Sequence, residues 1–170
     1  MSSNRELTEG AVLKIMEGYG NDPQQLIAVL LDIQTASGRN YVGRQWAELV
    51  SRILGIPLSK IFDVLTFYAM FSTVPRGEYL IEICQSASCH FDKTEQVVLW
   101  FEAAAGTKVG QTSADGKITL ERTSCVGACD IGPVAKIGDD VFGNLSEEKV
   151  QTLVKRCREG NLQEVCACQN

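Results

Sequence analysis

The chain has 170 residues, with 16 Lys and Arg against 21 Asp and Glu, a net charge of -5, one His and seven Cys. A composition of 45% hydrophobic and 22% charged residues excludes global disorder and a small disulfide scaffold, and the acidic balance disfavours a nucleic-acid partner. The most apolar run, Leu26 to Ile33, contains Asp32 and falls short of the roughly 18 residues a membrane span needs, so no direct membrane insertion is expected. The first ten residues lack an apolar core of signal-peptide type, which points to a cytoplasmic protein with reduced thiols.

The first half reads as helices. Val12, Leu13, Ile15 and Met16 before Gly18 and Gly20 predict a short first helix. Asn21-Asp22-Pro23 sets a capping side chain before a proline, and Leu26, Ile27, Leu30, Leu31 and Ile33 then recur at helical spacing up to Gly38. A third helix follows from Trp46, Leu49, Val50, Ile53 and Leu54, stopping at Gly55-Ile56-Pro57. A fourth, with Ser59 as N-cap, carries Ile61, Phe62, Leu65, Tyr68 and Ala69. Residues 1–75 are therefore read as a helical bundle.

The texture changes at the turn Pro75-Arg76-Gly77. Tyr79 to Ile83 is strand-like and delivers Cys84 at its end. Asp92 to Ala105 is helical through Val97, Val98, Phe101 and Ala104. Lys117 to Glu121 alternates polar and apolar residues as a half-buried strand does, ending just before Cys125. Val134 to Ile137 and Val141 to Leu145 flank Gly138-Asp139-Asp140 as a hairpin, and Ser146 caps a last helix through Val150, Leu153 and Val154. Residues 76–160 are read as an α+β domain and 161–170 as a tail.

All seven cysteines lie from Cys84 onward, and an odd count cannot close into disulfides within one chain. Cys84-x4-Cys89 and Cys125-x3-Cys129 each follow a predicted strand, so rigid elements can aim both pairs at a common point. Zinc knuckles and thioredoxin-type redox sites use Cys-x2-Cys, [4Fe-4S] ferredoxins use repeated Cys-x2-Cys, and a Rieske centre needs two His where only His90 exists. Two wide pairs suit a [2Fe-2S] cluster with two thiolates per iron. In the second loop, small residues let backbone N–H groups approach sulfur, and Gly127 and Gly132 can take conformations other residues avoid. A zinc site and four plain buried thiols stand as the alternatives.

Cys84-Gln-Ser-Ala-Ser-Cys89-His90, Cys125-Val-Gly-Ala-Cys129 and Gly132-Pro133 resemble the thioredoxin-like [2Fe-2S] subunit of complex I (NADH:quinone oxidoreductase) and related subunits of NAD-linked and electron-bifurcating hydrogenases, formate dehydrogenases and transhydrogenases. The resemblance runs from Asp22 to Glu159 and includes Asp63-Val-Leu-Thr-Phe-Tyr68 with Phe71, Pro75-Arg-Gly-Glu-Tyr79 and Thr112-Ser-Ala-Asp-Gly116. It implies an α+β fold, with an N-terminal helical bundle for partner docking followed by a thioredoxin-like [2Fe-2S] ferredoxin domain. It also implies Cys84 and Cys89 on one iron, Cys125 and Cys129 on the other, and a larger iron-sulfur flavoprotein partner that binds FMN and NAD(P)H, with further iron-sulfur subunits beyond. After His90 the family commonly carries a glycine where this chain reads Phe-Asp-Lys-Thr-Glu95, and the tail with Cys166 and Cys168 has no counterpart.

NADH delivers a hydride, whereas such a cluster moves single electrons at low potential, on the order of -400 mV as in plant-type ferredoxins. With no Gly-x-Gly-x-x-Gly and no Walker loop, the chain offers no nicotinamide or flavin site of its own. The expectation is thus a non-catalytic electron-transfer subunit of a soluble bifurcating hydrogenase, transhydrogenase or formate dehydrogenase complex, the three further thiols favouring an anaerobic setting. A respiratory complex I subunit and a zinc-stabilised assembly module are the alternatives. His90 is read as structural or as tuning the cluster. Phe62, Phe67, Tyr68 and Phe71 are read as core and interdomain packing with part of the face toward a partner, Trp46 and Trp100 as core, Cys157 as a plain buried thiol, and Cys166 and Cys168 as a reduced tail.

Overall fold

A computed structural model describes residues 7–91 and 93–162, and the chain divides into two compact units, Met1–Arg76 and Gly77–Asn170. Seven α-helices and four strands form among the described residues, an α+β protein as the sequence predicts.

The first unit is helical. Helix α1 (Glu9–Gly18) starts at Thr8, whose hydroxyl accepts the Ala11 N–H. The Asp22 carboxylate accepts the Gln24 N–H at 2.9 Å and Pro23 opens a single 3-10 turn that leads into α2 (Leu26–Ala36). Helix α3 (Arg44–Leu54) ends on Gly55 in the left-handed conformation, φ 65°. Helix α4 (Leu58–Phe67) corrects two expectations. Its cap is Pro57 rather than Ser59, because proline already fixes the φ needed to enter a helix, and it stops before Tyr68, which is extended. Val12, Met16, Leu30, Ile33, Val50 and Ile61 are fully buried in one core, against which Trp46 and Phe62 pack partly buried. The Gln34 amide, 8% exposed, donates to Met70 O and accepts the Ser72 N–H, both at 2.9 Å, which pins the segment after α4 to α2. Phe71 is buried, but Phe67 is 80% exposed and does not belong to the core as expected.

The second unit is a mixed sheet in the order β2-β1-β3-β4, built from β1 (Tyr79–Cys84), β2 (Ile118–Thr123), β3 (Ala135–Ile137) and β4 (Asp140–Phe142). Strands β1 and β2 run parallel, in register from Tyr79↔Ile118 to Cys84↔Thr123, while β3 is antiparallel to both β1 and β4. A parallel pair needs a crossover, and α6 (Thr94–Ala105) supplies it. Helix α7 (Glu147–Glu159), capped by the Ser146 hydroxyl on the Lys149 N–H, completes the core with Val150 and Leu153 against Ile81, Phe101, Leu120 and Phe142. Trp100 packs partly buried on this core, and Cys157 lies fully inside it as a buried thiol. At the start of the unit, a Cβ on Gly77 would lie 2.7 Å from Lys117 O, so only glycine lets β1 enter beside β2. A short helix that periodicity does not reveal, α5 (Ala87–Phe91), precedes α6. Among the described residues no helix is long and apolar enough to cross a membrane.

Candidate metal centre

Because β1 and β2 are parallel, both end at the same edge of the sheet. Cys84 is the last residue of β1, and Cys125 follows the end of β2 by two residues. Both thiol pairs thereby lie at the same end of the sheet. Cys84 and Cys89, each 1% exposed, form a small apolar cluster with Val134, onto which Val126, Ala128, Ile131 and Val141 pack. Cys125 and Cys129 are exposed, with their sulfurs 3.5 Å apart. Two thiolates bound tetrahedrally to one metal at about 2.3 Å stand about 3.7 Å apart, so this pair is already close to the bite of a single iron. Among the described residues no group of three or more His, Cys, Asp or Glu gathers as one metal-holding set; the sulfurs are arranged as two pairs.

The electrostatics differ between the pairs. Burial pushes the Cys89 thiol up, the Cys84 thiol beside it adds to the rise, and the Val134 N–H opposes it. The Gly127 N–H, 3.4 Å from Cys125 Sγ, holds the Cys125 thiol down, helped by the Cys129 thiol and the Ser86 hydroxyl. Cys129 is pushed up chiefly by Cys125. Gly127 makes this possible through its left-handed φ of 87°, as the sequence predicts. Gly132 does not share that role: its φ is -55°, an ordinary value, and it precedes Pro133 through a cis peptide bond.

Several positioning residues are not evident from cysteine spacing. The Thr94 hydroxyl, fully buried, lies 2.7 Å from Cys89 O and 3.2 Å from Cys84 O. The second loop is anchored where Asn144 N–H donates to Ile131 O at 2.6 Å, and a Cβ on Gly143 would come within 2.5 Å of that same oxygen. A lone glycine in the strand-like run Val141-Phe-Gly-Asn-Leu145 was the available signal for such a close approach. His90 is exposed and its ring meets Phe91 edge-on at 6.2 Å. In the Phe-Asp-Lys-Thr-Glu95 segment Lys93 takes the left-handed conformation, φ 70°, that a glycine would occupy without strain. Asp92, Cys166 and Cys168 lie outside the described residues.

A mixed sheet that carries two thiol pairs at the ends of parallel strands, with backbone N–H groups aimed at sulfur, supplies donors of the kind an iron-sulfur centre takes. A profile of the thioredoxin-like [2Fe-2S] ferredoxin family matches residues 12–158. The chain is 34% identical over 111 residues to an NADH-quinone oxidoreductase subunit of Rhizobium meliloti (strain 1021), covering 65% of this chain and 66% of that one. It is 32% identical over 128 residues to an NADH-quinone oxidoreductase subunit of Rickettsia felis, covering 75% and 77%. It is 27% identical over 143 residues to the NADP-reducing hydrogenase subunit HndA of Solidesulfovibrio fructosivorans, covering 84% and 82%. A solved NAD+-reducing [NiFe]-hydrogenase in the H2-reduced state shares the fold, with a TM-score of 0.70 at 22% identity over 82% of this chain; the match spans only 23% of the hydrogenase chain. The chain belongs to the thioredoxin-like [2Fe-2S] ferredoxin family. Its cofactor is the [2Fe-2S] cluster, and the zinc reading falls with that membership. The four-thiolate donor set and the bite of the exposed pair fit such a cluster.

Proposed function

We propose that Cys84 and Cys89 ligate one iron and Cys125 and Cys129 the other, and that the chain is a one-electron station in a multisubunit NAD(P)H-linked oxidoreductase. The observation that carries this is the delivery of both pairs to one sheet edge by parallel strands, with the second pair 3.5 Å apart. When bound, the cluster accepts and returns single electrons. The chain's own residues do the rest. Cys84, Cys89 and the apolar side chains of Val134, Ile131 and Val141 keep water from the inner side, while Gly127 and Val134 direct N–H groups at sulfur and stabilise its negative charge. The outer pair faces solvent, which shortens the path to a partner. The hydride must be split elsewhere, on a partner flavoprotein with FMN and a nicotinamide site, joined to further iron-sulfur subunits. In this reading residues 1–75 serve docking.

A hydrogenase, transhydrogenase or formate dehydrogenase type of complex, with electron bifurcation, is the first form of this proposal, and its hydrogenase member is supported by the relative HndA, an NADP-reducing hydrogenase subunit whose match covers 84% of the chain. A respiratory complex is favoured by the higher identity, 34%, of the NADH-quinone oxidoreductase relative from Rhizobium meliloti. Iron analysis of the purified chain should give about two irons, and reduction should produce an axial low-temperature EPR signal, as a two-iron cluster requires. A chain without iron would sink the assignment. Tagged protein drawn from its native cells with its partners decides between the complexes: a hydrogenase or formate dehydrogenase catalytic subunit supports the first, membrane quinone-reducing subunits the second.

A further inference from the structure

We infer that Thr94 is a positioning residue for the inner thiol pair: its buried hydroxyl ties the backbone carbonyls of Cys84 and Cys89 together and so sets how long the cluster is retained. This rests on those cysteines being ligands. Cys84 closes β1 and Cys89 is the middle residue of the five-residue α5, within its last four positions, so each carbonyl lies where ladder and helix bonds run out. The Thr94 Oγ1 atom lies 2.7 Å from Cys89 O and 3.2 Å from Cys84 O, with the residue fully buried. One proton shared between two carbonyls fixes both against a single point on α6, the helix that also crosses from β1 to β2. Water cannot replace this bond at a buried site, so its loss leaves two buried acceptors without it. The inner cysteines would then open more often, and an iron chelator captures a cluster during such openings.

The test uses the full chain carrying its cluster, with chelator added and visible absorbance followed. Thr94→Val keeps the shape and removes the hydroxyl. It should load iron as the parent does and lose the cluster about tenfold faster, the factor that corresponds to one ordinary hydrogen bond. Thr94→Ser should restore retention. Thr119→Val is the control, since Thr119 is also buried and its hydroxyl accepts the Gly77 N–H at 2.6 Å, away from the thiols. It should lower the unfolding midpoint and leave cluster loss at the parent rate. Cluster loss from Thr94→Val at the parent rate, no rescue by Ser, or equal acceleration by Thr119→Val would each overturn the inference. Should Thr94→Val not fold, Thr94→Ala gives the same comparison. If the parent chain itself binds no iron, the ligand assignment fails and takes this inference with it; a loaded parent with an unaffected Thr94→Val removes the inference alone.

Discussion

The inner and outer thiol pairs solve the same problem by different means. Cys84 and Cys89 are fixed by tertiary structure: a strand end, a short helix, apolar neighbours and the Thr94 hydroxyl. Cys125 and Cys129 are fixed by backbone, through the left-handed Gly127 and an anchor at Ile131, and remain exposed. A centre that must be both insulated and reachable gains from this asymmetry, since its inner half resists water while its outer half lies open to solvent.

The strongest way to test the contrast is to remove one cysteine from each pair. Cys89→Ala and Cys125→Ala should both abolish the cluster, read as iron content and visible absorbance. Cys89→Ala should also lower the unfolding midpoint, because it alone opens a buried hole. Equal midpoints would mean that burial does not separate the pairs.

Gly143→Ala comes next. A Cβ there meets Ile131 O at 2.5 Å, and backbone cannot rotate aside, so a cost of about 1–3 kcal/mol is expected in denaturant unfolding. The displaced loop should weaken the outer pair first. In the chain stripped of its cluster, a thiol alkylating agent near neutral pH should modify Cys125, held down by the Gly127 N–H, before the buried pair by more than about tenfold. Mass spectrometry of the labelled peptides reads the order.

Cys157, fully buried with its thiol pushed up to about 12 by burial, should stay unlabelled. Its ordinary value of 9.0 returns on unfolding. The unfolded chain therefore releases this proton first, so the stability it contributes is full below pH 9 and is lost as pH rises toward 12. Cys157→Ala should lower stability at pH 8 but flatten its fall above pH 9, as followed by base titration of the unfolding midpoint. The smallest effect is expected from Lys93→Gly, which relieves a left-handed residue at the entrance to α6 and should stabilise by about 0.5 kcal/mol.

Features that depend on neighbours in sequence are legible in the sequence itself. Asp22 before Pro23, the stop at Gly55 and the Ser146 cap are local chemistry, and each appears in the structure. The two strands ending at cysteines were legible from the strand-like run before Cys84 and the alternation before Cys125, whereas their parallel pairing came from the fold. Contacts across the fold were not. Thr94 reaches back to carbonyls five and ten residues away, and Gly143 matters only because Ile131 lies over it. Ser59 shows a local rule losing to a neighbour, since Pro57 already sets the helix start. Phe67 sits at helical spacing with core residues, but α4 ends there and leaves its ring exposed.

The parallel register of β1 and β2 has a consequence for how such chains can vary. Thirty-five residues lie between Cys89 and Cys125, but the pairing of Cys84 with Thr123 is what brings the two ends of that stretch together. The connection from Gly106 to Lys117 is held to the same register, since the Gly110 N–H donates to Leu120 O at 2.7 Å and Thr112 bridges to Thr119 on β2. A slip of one residue in the β1–β2 pairing would carry Cys125 away from its partners and turn the strand's core side chains outward. Alignment across two strands, more than distance along the chain, is thus what holds the thiols in place.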